Sequence, residues 1–133
     1  MKSNQFIIEE ISLFDFDKTV EKLVAEAERR EWKVQFVHDL QHSLAKSGKS
    51  VKPVKVIEIC KPEYSGQMLE LSDERIISVM MPCRISVYEK EDGKTYIALI
   101  NTGNMTNGQS VKIAELMKTI ADESLEIVKF INN

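Results

Sequence analysis

The chain is short of the residues that announce a chemistry. It has two cysteines, Cys60 and Cys83, in 133 residues, too few for a disulfide framework. Its two histidines, His38 and His42, fall short of the three or four ligands that a metal centre needs. Their H-x-x-x-H spacing holds a metal only when both lie on one helix, and His38 reads as a strand end. No Glu follows His38, which excludes the metalloprotease pattern, so no metal is expected at the histidines. No apolar run approaches the ~20 residues that cross a bilayer as a helix. The opening segment turns acidic at Glu9 and Glu10, where a signal peptide stays apolar. Positive charge is not in excess: 18 Lys and Arg stand interspersed among 21 Asp and Glu, for a net charge of −3. Neither nucleic acid nor a membrane is therefore an expected partner. A cytoplasmic location with reduced thiols follows as the expectation. Internal repeats, low-complexity segments and interdomain linkers are also missing, and a single domain over residues 1–133 is expected. Gly48-Lys49-Ser50 looks like the end of a phosphate-binding loop. Ser43 stands where that loop needs its earlier Gly, and the strand and helix order around it is reversed, so it is rejected.

What is present is a clear hairpin. Apolar and polar residues alternate from Cys83 to Lys90, the period of a strand. A second β-rich run covers Thr95 to Asn101, and Glu91-Asp92-Gly93 lies between. Asp-Gly favours a tight turn because Gly supplies the positive φ. A turn with Lys90 opposite Lys94 sets Val87 against Ile97, Ile85 against Leu99 and Cys83 against Asn101. These apolar residues then share one face, so register and pattern agree. Tyr88 with Tyr96 and Arg84 with Ile100 fall on the other face, which is partly apolar and is expected to be covered.

The remaining elements follow from periodicity. Phe6 to Ile11 reads as a first strand. Asp15 or Asp17 caps a helix carrying Val20, Leu23, Val24 and Ala27 on one side. Trp32 to His38 is a second strand, and a short helix is possible in residues 39–46. Val54 to Cys60 is a third strand, apolar on both faces and so expected to be covered on both. Pro62 opens a helix to about Leu71, since its missing N–H costs nothing at the first helical position. The last helix runs from about Gln109, with Ile113, Leu116, Met117, Ile120, Val128 and Ile131 as its buried stripe. The order β-α-β-β-α-β-β-α argues for an α+β fold, an antiparallel-rich sheet packed by helices.

If the third and fourth strands are antiparallel neighbours, Cys60 lies beside Cys83 and Asn101 at one end of the sheet. Cys60 precedes a helix N-terminus and Lys61, and Cys83 precedes Arg84; positive potential of both kinds favours thiolate. That arrangement suits a redox pair, a soft-metal or haem ligand, or a nucleophile. The alternative is two small packing residues, since free Cys is among the most buried types. Met80-Met81 either lines a pocket or fills core. His38 lies at the far end of the sheet from the thiols, bonded to Asp39 or to backbone. No Ser/His/Asp order or carboxylate pair is defensible from spacing.

The segments Pro53 to Tyr64 and Met81-Pro82-Cys83-Arg84-Ile85-Ser86-Val87-Tyr88-Glu89-Lys90, with Asp92-Gly93-Lys94-Thr95-Tyr96, resemble the signature of the uncharacterised bacterial and archaeal domain-of-unknown-function family numbered three-hundred-two. Trp32-Lys33-Val34 and His38-Asp39-Leu40 resemble its second-strand region. The resemblance implies a TATA-box-binding-protein-like sandwich with a curved antiparallel sheet, forming a homodimer; it implies no activity, and likeness of fold is no ground for DNA binding. Together these readings lead to an expected small cytoplasmic homodimer that binds a small ligand. Its site would lie near Cys60, Cys83, Arg84 and Asn101, with Arg84 anchoring an anion. The partner subunit would cover Tyr88, Tyr96 and Ile100. The alternative is a thiol-redox, soft-metal or haem-binding protein using Cys60 and Cys83. A cysteine-nucleophile enzyme stands behind both, because no base is evident near the thiols.

Overall fold

The computed structural model describes residues 2–4 and 6–133. Its strands are β1 (Lys2–Ser3), β2 (Ile7–Ile11), β3 (Lys33–Asp39), β4 (Val54–Cys60), β5 (Cys83–Glu89) and β6 (Thr95–Ile100). Its helices are α1 (Phe16–Arg29), α2 (Leu40–Ala45), α3 (Pro62–Leu69) and α4 (Val111–Ile131). The strands form one antiparallel sheet in the order β1-β2-β6-β5-β4-β3. The fold is therefore α+β, and its larger elements follow the order read from the sequence. Two short 3-10 segments, Ser72–Met80 and Thr102–Asn104, lie in the connections. Among the described residues, no helix is long and apolar enough to cross a membrane.

The hairpin has the expected register: Ile85 faces Leu99, Val87 faces Ile97 and Tyr88 faces Tyr96. The turn closes with Lys90 N–H donating to the Lys94 carbonyl at 3.1 Å, and Gly93 adopts φ +78°. That left-handed position is one only Gly takes at little cost.

Alternation then sorts the sheet into two faces. Ile57, Ile59, Ile85, Val87, Ile97 and Leu99 point inward and are buried. Against them pack Leu23 and Ala27 of α1, Met68 of α3, and Ile113, Met117, Ile127 and Val128 of α4. On β3 the register shifts between Val34 and Phe36. Such a bulge lets two residues oppose one. Val34 and Val37 therefore both reach the core, while Phe36 and His38 share the outer face, their rings 4.6 Å apart.

The outer face is left without a long helix. Ile7, Ile11, Phe36 and Ile100 are exposed there, and Val54 and Val56 are half-buried. The expectation that β4 is covered on both sides fails in the chain itself. Its second apolar row (Val54, Val56) belongs to this open face.

The helix ends are set by side chains. Asp15, not Asp17, caps α1, accepting from Lys18 N–H at 2.8 Å. Ser110 caps α4. At the other end of α1, Glu26 is buried and accepts from Arg29 at 2.6 and 2.8 Å and from Arg30 at 2.6 Å. Arg30 also reaches Glu126 of α4 at 3.1 Å, so the cluster clasps the two helices together.

Hydrogen bonds from the Arg29 guanidinium, aided by Arg30, hold the Glu26 carboxyl at about 2, far below its ordinary 4.5, although burial opposes them. A carboxyl with a depressed folded-state pKa adds stability above its unfolded pKa and loses it as pH falls towards the folded value. The melting temperature should therefore drop between about pH 4.5 and pH 2, and Glu26→Gln should flatten that part of the profile. Thermal unfolding across pH in both proteins checks this.

Candidate functional site

The site grows out of one pairing. Ile59 of β4 lies opposite Cys83 of β5, so Cys60 and Cys83 meet at one end of the sheet. Antiparallel neighbours can be joined by a tight turn, yet the chain here makes a long excursion through residues 61–82. Pro62 starts α3 and the 3-10 segment Ser72–Met80 returns to β5. Short helices joined this way leave a cavity of about 370 Å³ against α4.

Both cysteines line the cavity, together with Met68, Met80, Met81 and Met117. Trp32, the single tryptophan, forms another wall. Its position is set by the end of α1. The Trp32 N–H donates to the Ala27 carbonyl at 2.9 Å and the Glu31 N–H to the Glu28 carbonyl at 3.0 Å. These are the two bonds of a Schellman C-cap, whose left-handed residue is usually Gly. Here it is Glu31, at φ +66°. A non-Gly residue in that region costs about 1–2 kcal/mol, and the strain is held beside the cavity. Trp32 is 3% exposed, and its indole N–H finds no acceptor among the described residues.

A polar network fastens the roof. Glu123 of α4 accepts from Lys61 Nζ at 3.1 Å and from the Tyr64 hydroxyl. Lys61 also lies over the rings of Trp32 and Tyr64, 5.8 and 5.5 Å from their centroids. The bond to Glu123 pushes the Tyr64 hydroxyl up to about 12, so it stays a donor.

The four residues expected at the site divide. Cys60 and Cys83 come together as expected. Arg84 and Asn101 do not line this cavity. Arg84 is the residue after Cys83 on a strand, so its side chain leaves on the opposite, outer face. There its Nε stands 3.9 Å from Glu58, which His38 also meets at 2.6 Å. His38 therefore bonds Glu58, not Asp39 or backbone; Asp39 instead caps α2 by accepting from His42 N–H at 2.9 Å. Asn101 follows β6, its N–H donating to the Phe6 carbonyl at 2.7 Å.

The expected activation of the thiols is reversed at Cys83. Burial, with a smaller contribution from the neighbouring Cys60, pushes its thiol up to about 11. The cations that were to stabilise a thiolate are engaged elsewhere: Lys61 with Glu123, Arg84 beside Glu58 across the sheet. Cys60 Sγ lies 3.3 Å from the Ser65 hydroxyl.

Taken together, the geometry defines a class: a one-sheet α+β domain with a half-open apolar cavity, lined by sulfur, at one end of the sheet. The chain belongs to the family described as domain of unknown function DUF302, whose model matches residues 8–131. Its fold is similar to the crystal structure of an uncharacterized conserved DUF302 protein from Bacillus stearothermophilus. That match has a TM-score of 0.85 at 16% identity and covers 95% of this chain and 98% of the other. No curated protein matches the chain significantly.

Because only a thiolate is nucleophilic, the raised Cys83 pKa makes a kinetic prediction. Native Cys83 should be alkylated at neutral pH about 100-fold more slowly than in the unfolded chain, the factor that about two pH units imply. Alkylation followed by mass spectrometry reads each cysteine separately. Fast labelling of native Cys83 at pH 7 would show that burial does not govern this thiol.

Proposed function

We propose that this protein is a small cytoplasmic homodimeric domain that binds a mainly apolar small molecule in the cavity between α3, α4 and the paired ends of β4 and β5. The observation that carries the reading is the wall of that cavity. An apolar space of about 370 Å³ falls within the ~300–1,000 Å³ range of small-molecule sites. Trp32 lines that space, and its buried indole N–H has no acceptor among the described residues. A buried donor left unpaired costs about 1–3 kcal/mol. A ligand that brings an acceptor to Trp32 recovers that energy and covers the apolar lining at the same time. Methionine side chains around it suit a site that adapts to its occupant.

The homodimer reading is supported by the outer face of the sheet. Ile7, Ile11, Phe36 and Ile100 expose apolar surface there, beside the stacked rings of Tyr88 and Tyr96 at 6.2 Å. Apolar surface of this kind, here interrupted by Glu58 and Arg84 between Phe36 and Ile100, supports an interaction site. A second copy offers the same rows by symmetry, which is the usual way such a face is closed.

Trp32 is its own reporter, because its emission is the only tryptophan signal in the chain. Titration with anilinonaphthalene sulfonate, an apolar molecule with acceptor oxygens, should quench Trp32 saturably at one probe per chain. Trp32→Phe keeps the ring but removes the N–H, and should weaken binding of the probe, read from its own fluorescence, by about 5–10-fold, the worth of one hydrogen bond. Unsaturable binding, or equal affinity in the variant, would overturn the reading.

For the dimer, light scattering of the intact protein should give twice the mass of the chain. Phe36→Glu with Ile100→Glu should return it to one chain with an unchanged far-UV spectrum. A monomeric parent protein, or a dimer that survives both substitutions, would refute this interface.

A further inference from the structure

The cavity gathers the sulfur of the chain. The sequence has two cysteines and six methionines. Both cysteines and four of the methionines, Met68, Met80, Met81 and Met117, line this one space. The four thioethers come from three separate elements: α3, the 3-10 segment with its exit, and α4. Methionine also fills cores, and Met68 and Met117 are buried in this one, but all four also line the cavity.

Thioethers and thiolates are soft donors, and together they select soft, low-charge metal ions over hard ones. Zinc wants four ligands drawn from thiolate, imidazole and carboxylate. Among the described residues no group of three or more His, Cys, Asp and Glu side chains can hold a metal. His38 and His42 stand elsewhere, one against Glu58 and the other in α2. What remains is a donor set for a monovalent soft cation.

We propose that the cavity is a copper(I) site, in which Cys60 and Cys83 supply thiolates and the surrounding methionines supply thioether ligands. This rests on reading the cavity as a ligand site and gives that site a metal occupant in place of the apolar molecule. Each S–H bond breaks as a sulfur–copper bond forms, and the two protons leave to solvent. Copper stays at +1, so no oxidant or reductant takes part. Two thiolates on Cu(I) leave one net negative charge in apolar surroundings. Ser65, 3.3 Å from Cys60 Sγ, can donate its hydroxyl to the same sulfur.

The test is competition for Cu(I) presented as its coloured bicinchoninate complex, without oxygen and with ascorbate present. The full chain should withdraw one copper per chain and quench Trp32 as it does so. Cys60→Ser with Cys83→Ser should weaken uptake by ~100-fold or more, since loss of even a supporting group around a metal costs ~10–100-fold. Met80→Leu with Met117→Leu keeps volume and packing, so its melting temperature should hold. It should nevertheless lose ~10-fold or more in copper affinity, a change that packing alone does not produce. Zn(II) should not compete. No withdrawal of copper, uptake that survives the serine pair, an unchanged affinity in the leucine pair, or equal uptake of zinc would each overturn the proposal. The dye titration separates the two readings. Dye binding without copper uptake sinks this inference and leaves the apolar-ligand reading intact. Copper uptake without dye binding supports this inference and removes the apolar ligand. Failure of both removes the site.

Discussion

The register between β4 and β5 is the constraint on which the rest depends. Ile57 faces Ile85 and Ile59 faces Cys83, and a slip of one residue would turn the inward side chains of one strand to the other face. Such a slip would expose either Ile57 and Ile59 or Ile85 and Val87, all but sealed from solvent. At about 1.5–3 kcal/mol for each large apolar side chain, either pair outweighs any local preference for another pairing. The same register decides the chemistry. It turns Cys83 inward to the cavity and the next residue, Arg84, outward to Glu58. Two adjacent residues that look like one site in the sequence therefore send their side chains to opposite faces of the sheet.

The hairpin was legible because three independent signals agree on it: the period of two, the Asp-Gly turn and the inward apolar set. The meeting of Cys60 with Cys83 followed from the same logic one strand further on. Three other features depend on what no local pattern encodes. The bulge at Gln35 changes which β3 residues face outward, so Phe36 and His38 join the open face and His38 finds Glu58. The left-handed Glu31 turns the chain into Trp32, although Glu is not a residue that signals that conformation. The protonated state of Cys83 comes from burial, which is a property of the assembled roof. Sequence neighbours such as Arg84 suggested the opposite because charge is readable in a sequence and desolvation is not. The lone tryptophan and the methionines between residues 68 and 81 were the available hints to the cavity, and Met80-Met81 was read as a pocket lining only as one of two choices.

The roof of the cavity is built to hold its shape. α3 has eight residues and the 3-10 segment nine, lengths at which isolated helices are unstable in water. Their order comes from tertiary contacts: Met68 and Ile77 in the core, and the ties from Lys61 and Tyr64 to Glu123 on α4. The ties are at the rim and the apolar residues are inside. On the reading proposed above, a ligand enters beneath a roof whose position is set by α4 and need not order it on binding, which removes one of the entropic costs of association.

The same arrangement weighs against a cysteine nucleophile. Such an enzyme needs a thiolate at neutral pH and a base or cation to produce it. Cys83 is displaced in the wrong direction, Lys61 is bound to Glu123, and His38 lies on the outer face beside Glu58. Moving any of these to the thiols would break a pairing that fixes either the roof or the sheet. On the reading proposed above, a cavity whose polar groups are occupied at its edge and whose lining is apolar and rich in sulfur holds a guest better than it reacts with one, and it meets that guest by apolar contact, one hydrogen bond and soft-donor coordination.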